Sequence, residues 1–411
     1  MQKFMKWMTD VVGPKADAIA QNPWVAGIQD AINRILPMIL VGSLITIYNV
    51  VRNYINKLPD MSDIRSYTFG LVALFMAFLI PYFIMEHKKH DNMKYIAGLT
   101  GLSLFMITVN PQVLKTGYLY QFDYFGAGGM FVAIIAGLFV AVIMNVFASV
   151  SFFKEDSAMP QFIQQWFDAL IPIFIVVFVG WLIVIQIKFD LYNSIIALFK
   201  PLISVAQTYP GMLLLYLIPT IFFSLGISGW VFTPILTPIA LTAITANAAI
   251  AAAGGHAVNI FCDEVTFALI ALGGRGCTLP LSVMMLRAKS QKLKAIGKTC
   301  IGPSILNINE PLVFSTVAWN PMLMIPMWIN AVVSVTIVYF TLKVGLVAIP
   351  TAVFSLWYTP SFLQGFFVSG FGGVVLTAVV FAVTWLIWYP FYKIYDNKCL
   401  AAEVAGVEDD D

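Results

Sequence analysis

About 20 mainly apolar residues in a row can cross a bilayer as a helix. This chain carries nine apolar runs near that length, at residues 35–56, 67–86, 95–110, 128–153, 169–187, 211–228, 231–253, 320–342 and 366–392. That repetition constrains the fold more than any other feature. Composition agrees: 60% of residues are apolar and only 11% charged, against about 25% charged in a soluble domain. With a mean hydropathy of +0.86, the chain lacks the polar surface needed to face water on all sides. The expectation is an all-α polytopic membrane protein with about ten transmembrane helices.

Residues 14–34, where Trp24 and Ile28 stand beside Asp30 and Arg34, read as an amphipathic helix lying in the membrane interface rather than as a cleaved leader. Residues 188–206, with Lys188, Asp190 and Lys200 among apolar positions, read as a second. Lys88, Lys89, Lys94, Lys154, the cluster Arg287, Lys289, Lys292, Lys294 and Lys298, and then Lys393 and Lys398 fall in segments that one side of the membrane would share. The positive-inside rule puts these segments and both termini in the cytoplasm. Lys57, Arg65 and Lys115 fall on the opposite side and reduce the contrast. A net charge of +2 gives no footprint for nucleic acid. Cys262, Cys277, Cys300 and Cys399 form no CxxC pair and no metal spacing, so they read as small apolar fillers, with no metal or cofactor expected.

Residues 254–319 break the pattern with G-G-H (254–256), G-G-R-G-C-T-L (273–279) and I-G-P-S-I-L-N-I-N-E-P (301–311). Irregular backbone at membrane depth is tolerated only where protein buries it or where it lines a cavity, and interrupted helices point to a transporter's binding site. Glu310 is the leading candidate, because a carboxylate in a membrane segment costs about 2.5–3.5 kcal/mol on insertion scales. Asn307 and Asn309 precede it, and Pro311 removes a backbone donor. Together they form either a set of polar groups suited to a polyhydroxylated ligand or a buried polar cluster that pins two helices. Arg275 has two readings: pairing with Glu310 or a phosphate, or snorkelling to the interface. Trp357 offers an apolar face for stacking on a sugar ring, and equally fits an interfacial belt. His256 reads as an interfacial or hydrogen-bonded histidine.

Taken together, these segments resemble the membrane permease, enzyme IIC, of the lactose/cellobiose/diacetylchitobiose branch of the bacterial phosphotransferase system. The resemblance rests on G-G-R-G-C-T-L-P-L (273–281), S-Q-K-L-K-A-I-G-K (290–298), N-I-N-E-P-L-V-F (307–314), N-P (320–321), L-W-Y-T-P (356–360) and W-L-I-W-Y-P-F-Y-K-I-Y-D (385–396). G-A-G-G-M-F-V-A-I (126–134) and F-D-A-L-I-P (167–172) extend it over nearly the whole chain. The chain departs from the family where F-S-L-G-I-S-G (223–229) replaces a W-x-x-G-I-H-G segment, with Ser228 for a histidine that lies by the sugar. It departs again at Arg275, where the family has a small residue, and at F-S-T-V-A-W (314–319), where the family has F-G-L-P.

The resemblance implies two re-entrant hairpins within the transmembrane fold, and a homodimer embedded in the lipid of a bacterial cytoplasmic (inner) membrane. It implies an N-terminal transmembrane region (1–206) with dimerisation helices, a sugar-binding region (207–396) with the hairpins, and a disordered cytoplasmic tail (397–411). It implies a disaccharide carried by alternating access and phosphorylated on its 6-hydroxyl by the phosphocysteine of a separate enzyme IIB, itself fed by IIA. On that reading Glu310 is the catalytic group. Asn309, Glu310, Trp357, Thr278, Ser228, Gly274 and Arg275 line the sugar site, and the basic stretch 287–298 docks the partner. Loss of the histidine at Ser228 motivates the alternative, a sugar transporter or receptor of the same fold without phosphotransfer.

Overall fold

The structure, a computed structural model, describes residues 18, 21–52, 55, 58–149, 151, 153 and 160–405. Lys154 and most of the stretch 14–20 lie outside them. The principal helices are α1 (Pro23–Arg52), α2 (Val72–His87), α3 (Lys94–Thr108), α4 (Met130–Phe147), α5 (Gln161–Gly180), α6 (Leu191–Ala206), α7 (Tyr209–Ser224), α8 (Thr233–Ala252), α9 (Leu279–Met285), α10 (Gln291–Ile305), α11 (Pro321–Lys343) and α12 (Ser361–Ala405). Among the described residues, each of the nine apolar runs of the sequence falls mainly on helix. Among the described residues seven spans are long and apolar enough to cross a membrane, or eight if α6 and α7 count as one. The 15-residue α3 is apolar but short; at 1.5 Å per residue it reaches only about 22 Å.

Two local expectations change. Residues 23–34 do not form a separate interfacial helix but run unbroken into the first span, and neither Gly27 and Gly42, packed closely against Ile84 and Phe69, nor Pro37 ends the helix before Arg52. The final helix carries on to Ala405, well past the residue-397 start expected for a disordered tail, with Asp396 and Glu403 bonded to other parts of the chain. The reading of 188–206 corresponds to α6, where the Asp190 side chain accepts the Asn193 backbone N–H at 3.0 Å and so caps the helix start.

The chain divides into two compact units. One comprises residues 15–202 with 233–238. Its centre is α2, whose Val72, Ala73, Met76, Ala77, Ile80 and Ile84 are fully buried. Glycines on the helices around α2 allow that packing: a Cβ on Gly101 would sit 2.1 Å from the Ala77 carbonyl oxygen, and one on Gly137 would sit 2.9 Å from Ile80 Cβ. Small residues at such crossings let backbones approach where lipid supplies no hydrophobic drive. Polar contacts gather at the ends, with His87 2.8 Å from Asp30 and Lys94 2.7 Å from Glu86. A two-stranded antiparallel ribbon pairs β1 (Gln112–Leu114) with β2 (Gly117–Leu119), Val113 opposite Tyr118.

The other unit comprises residues 203–232 and 239 onward. Its core packs Trp388 and Tyr392 of α12 with Leu281, Met285, Leu293, Leu312, Val313, Val317, Leu323 and Met327. Side-chain caps start its helices where the sequence places Thr, Ser or Asn: Thr208 accepts from Gly211 N, Ser290 from Leu293 N, and Asn320 from Met322 N, each at 3.2 Å. Gly370, at φ +62°, breaks α12 early in its course. Between Ala252 and Pro321 no described helix is of spanning length. That stretch holds two broken-helix hairpins instead.

Candidate functional site

The first hairpin descends through a single turn, Asp263–Val265, and a π-turn, Thr266–Ile270, to a tip at residues 271–278, and returns as α9. The second descends as α10 to a tip at 306–309 and returns through Glu310–Leu312 and a π-turn, Val313–Val317. Each tip needs left-handed backbone. Gly273, Gly274 and Gly276 supply it in the first, at φ +73°, +102° and +79°, and Asn307 supplies it in the second at φ +61°. Asparagine tolerates that region better than most residues with a side chain. Gly274 has no alternative, because a Cβ there would lie 2.2 Å from the Asn309 carboxamide carbon.

The two tips interlock. Gly273 N donates to Asn307 Oδ1 at 2.6 Å, Ser361 Oγ donates to the same oxygen at 3.0 Å, and Asn307 Nδ2 donates to the Phe267 carbonyl at 2.9 Å. Asn309 Nδ2 donates to the Arg275 carbonyl at 2.9 Å and to Thr278 Oγ1 at 3.0 Å. Thr278 Oγ1 in turn donates to the Gly273 carbonyl at 2.7 Å. Below the tips, Ser282 and Ser304 hydroxyls meet at 2.6 Å. Asn309 and Thr278, both expected to face a ligand, thus first satisfy backbone groups that two broken helices leave open. Both donors of the Asn309 amide are used.

Glu310 and Arg275 differ from the asparagines. Glu310 is half-buried and forms no hydrogen bond or ion pair among the described residues. Arg275 places its guanidinium 5.7 Å from the centre of the Tyr216 ring, within electrostatic reach of Tyr216, Asp263 and Glu310 but in no ion pair. Its Nη1 is buried with no hydrogen-bond partner. The snorkelling reading of Arg275 is therefore overturned: the side chain turns inward. Gly229 makes room for it, since a Cβ there would come within 2.9 Å of Arg275 Nε. This brings the 226–229 loop beside the first tip. Ser228 is half-buried, its Oγ accepting from Trp230 N at 3.4 Å.

Trp357 stands in an aromatic group rather than alone. Its ring centre lies 5.5 Å from Trp230, 5.6 Å from Tyr358 and 6.3 Å from Phe267. Phe267 links this wall to the tips, because its carbonyl accepts from Asn307. Gln364 Nε2 holds the Trp357 carbonyl at 2.7 Å. His256 is exposed and away from these contacts. No group of three or more metal-binding side chains occurs among the described residues.

Sequence reasoning missed Tyr216, whose hydroxyl accepts from Gly276 N at 3.3 Å, and Trp230 and Ser361. Only the tryptophan carried a signal, as a large aromatic directly after G-I-S-G. Glu264, 1% exposed, accepts the Phe354 N–H at 2.9 Å and so holds the segment before Trp357.

A model of the family described as "Phosphotransferase system, EIIC" matches residues 29–331. The chain is 28% identical to the "Lichenan permease IIC component" of Bacillus subtilis, covering 98% of this chain and 96% of that one. It is 29% identical to the "PTS system cellobiose-specific EIIC component" of Geobacillus stearothermophilus, covering 98% and 97%. It is 27% identical to the "PTS system lactose-specific EIICB component" of Lacticaseibacillus casei, covering 99% of this chain and 74% of that longer protein. Among solved structures it matches the transporter ChbC, the IIC component of an N,N'-diacetylchitobiose-specific phosphotransferase system. That match has a TM-score of 0.87 and 27% identity over 98% of this chain and 100% of the other.

Proposed function

The chain belongs to the phosphotransferase system EIIC family, the multi-pass sugar permeases of that system, and we propose that the two hairpin tips hold a β-linked disaccharide for phosphorylation on its 6-hydroxyl. The observation that carries this reading is the contrast at the tips. The asparagine amide donors are consumed by backbone carbonyls and the Thr278 hydroxyl, while the Glu310 carboxylate and Arg275 Nη1 remain unspent beside them. An acceptor and a donor left unused in a buried setting fit a ligand that brings hydroxyls, each both donor and acceptor. Trp357, backed by Trp230, supplies the apolar face that a pyranose ring stacks on. Ser228, Gly274 and Thr278 complete the lining, and the Asn309 carbonyl oxygen adds an acceptor. Relatives named for lichenan, cellobiose, lactose and diacetylchitobiose support the disaccharide class.

In the transfer step the sugar O6 attacks the phosphorus of a phosphocysteine on enzyme IIB. The O6–P bond forms, the S–P bond breaks, and thiolate leaves. Glu310 orients the hydroxyl and takes its proton. Because phosphoryl transfer runs through a loose transition state, alignment outweighs base strength. The lactose-specific relative, named EIICB, supports a IIB partner for this chain.

The positive-inside pattern supports cytoplasmic termini and a cytoplasmic basic stretch at 287–298. All seven proposed site residues fall in the unit of residues 203–232 and 239 onward, which supports a sugar-binding region beginning near residue 207. The homodimer is part of the same proposal, tested by the mass of the purified protein in detergent. The decisive experiment is Glu310→Gln in membranes given radiolabelled cellobiose and phosphorylated IIB. Sugar phosphate formation falls by about two orders of magnitude or more, the scale of a lost acid–base group, while the protein remains folded. Wild-type rates in that variant would remove Glu310 from the mechanism.

A further inference from the structure

The last helix bonds to the first hairpin along one stripe. Trp388 Nε1 donates to the Cys277 carbonyl at 2.8 Å, at the end of the first tip. Tyr392 OH donates to the Met284 carbonyl at 3.0 Å, near the end of α9. Asp396 accepts from Lys289 N and Ser290 N at 3.0 Å, in the link between the hairpins. Glu403 accepts from Ser290 Oγ at 2.6 Å, Lys292 N at 2.9 Å and Gln291 N at 3.0 Å, in the first turn of α10. Residues spaced by four and seven share one helix face. Trp388, Tyr392, Asp396 and the intervening Cys399 are all buried there.

Two physical facts make this stripe more than packing. First, α9 has seven residues, whereas an isolated helix needs about 12–15 to be even marginal. It is held by what it leans on. Second, the start of α10 is cationic, with Lys289, Lys292 and Lys294 at or near its N-terminus and Arg287 just before. A helix N-terminus favours anions, so this segment carries the wrong sign for its place. Asp396 and Glu403 bring the missing carboxylates from another helix.

We infer that Trp388, Asp396 and Glu403 are positioning residues that lock the basic segment 287–294 to the sugar-site tip 273–278, so that both are held as one piece by the last helix. The partner-docking role of that segment rests on the function proposed above; the lock itself does not.

Hydrogen exchange on the full-length protein in nanodiscs tests it. Glu403 is exposed, so Glu403→Ala leaves the fold intact. Its effect reaches two places. Amides 289–292 exchange about tenfold faster, the scale of one lost charge-assisted bond. Amides 273–278, which Glu403 does not touch, also accelerate. Trp388→Phe keeps an aromatic ring but loses the N–H, and gives the reciprocal pattern, as coupling between two sites requires. Glu403→Gln, which retains an acceptor oxygen, restores most of the protection. Acceleration confined to 289–292 in the alanine variant reduces Glu403 to a local cap and overturns the lock, as does no acceleration at all. Sugar phosphorylation is measured separately with cellobiose and phosphorylated IIB. A wild type that phosphorylates nothing defeats the proposed function, while the exchange pattern still decides the lock.

Discussion

Asn309→Asp changes one NH2 group to oxygen, nearly without change of shape. In the wild type that nitrogen donates to the Arg275 carbonyl at 2.9 Å and to Thr278 Oγ1 at 3.0 Å. The Thr278 hydrogen is already given to the Gly273 carbonyl, so its oxygen can only accept. The ionised carboxylate of the variant has no donor and sets a negative oxygen against two acceptors, at a position 3% exposed. Two lost bonds cost about 1 kcal/mol each, and stranded buried groups add roughly 1–3 kcal/mol more, for a total of about 3–5 kcal/mol. Asn307→Asp is the internal comparison. Its Oδ1 still accepts from Gly273 and Ser361, and only the bond to the Phe267 carbonyl is lost. It should cost about half as much. The chain carries its own reporter, since Cys262, Cys277, Cys300 and Cys399 are all buried and none is in a disulfide. Reaction with a thiol-specific fluorophore during heating in detergent follows their exposure. Near pH 8 the midpoints should fall in the order wild type, Asn307→Asp, Asn309→Asp. Acidification narrows the last gap, because the introduced carboxyl regains one donor when it is protonated. Equal midpoints for Asn309→Asp and wild type, or the reverse order of the two variants, would refute the interlocking of the tips.

Two further outcomes follow from charges. Arg275→Ser removes a buried guanidinium whose Nη1 has no partner; the unliganded protein melts no lower, since an unpaired buried charge costs stability, while affinity for cellobiose in calorimetry drops. Unchanged affinity would remove Arg275 from the sugar site. Glu403 lies eleven residues beyond the last apolar run, and the Ser290 hydroxyl with the Lys292 and Gln291 backbone N–H groups holds its carboxyl below the usual 4.5. A depressed carboxylate stabilises the fold above its unfolded-state pKa and loses that contribution as pH falls through the folded one. Exchange protection at 291–292, whose N–H groups Glu403 accepts, should therefore be flat above about pH 5 and decline below it, and Glu403→Ala should abolish that decline.

Much of this architecture was legible because the bilayer imposes a length rule that apolar runs satisfy visibly. Glu310 stood out for the same reason, as a charge in a place that penalises charge. Contacts bridging large sequence separations were not legible. Trp388 finds the Cys277 carbonyl 111 residues away, and Ser361 finds Asn307 across 54. Neither residue departs from its local pattern: Trp388 reads as one more apolar residue in a span. The end of α12 was hidden differently. Its charges suggested a solvated tail, but Asp396 and Glu403 are matched to N–H groups at and just before the start of α10, which no property of 397–405 announces. Residues 23–34 look separate from the first span only while amphipathicity is given more weight than the apolar stretch that continues through Pro37 without ending the helix.

Asn309 shows the harder limit. An asparagine next to a membrane carboxylate reads as a ligand-binding group, and its neighbour Asn307 equally so. Breaking two helices at membrane depth frees N–H and C=O groups that lipid cannot satisfy. Amides, each with two donors and an acceptor, are suited to satisfying them. The Phe267 and Arg275 carbonyls and the Gly273 N–H are such groups, and the two asparagines take all three. A carboxylate cannot do that work toward carbonyls, since it only accepts, and a guanidinium cannot do it toward N–H groups. The polar residues of the tips therefore sort by chemistry. Amides and small hydroxyls close the broken backbone, and the charged pair, Glu310 and Arg275, is left with capacity that a sugar can fill. That same sorting predicts which substitutions act on the fold and which on the ligand: loss of an Asn309 donor should appear in melting, and loss of Glu310 or Arg275 in binding and turnover.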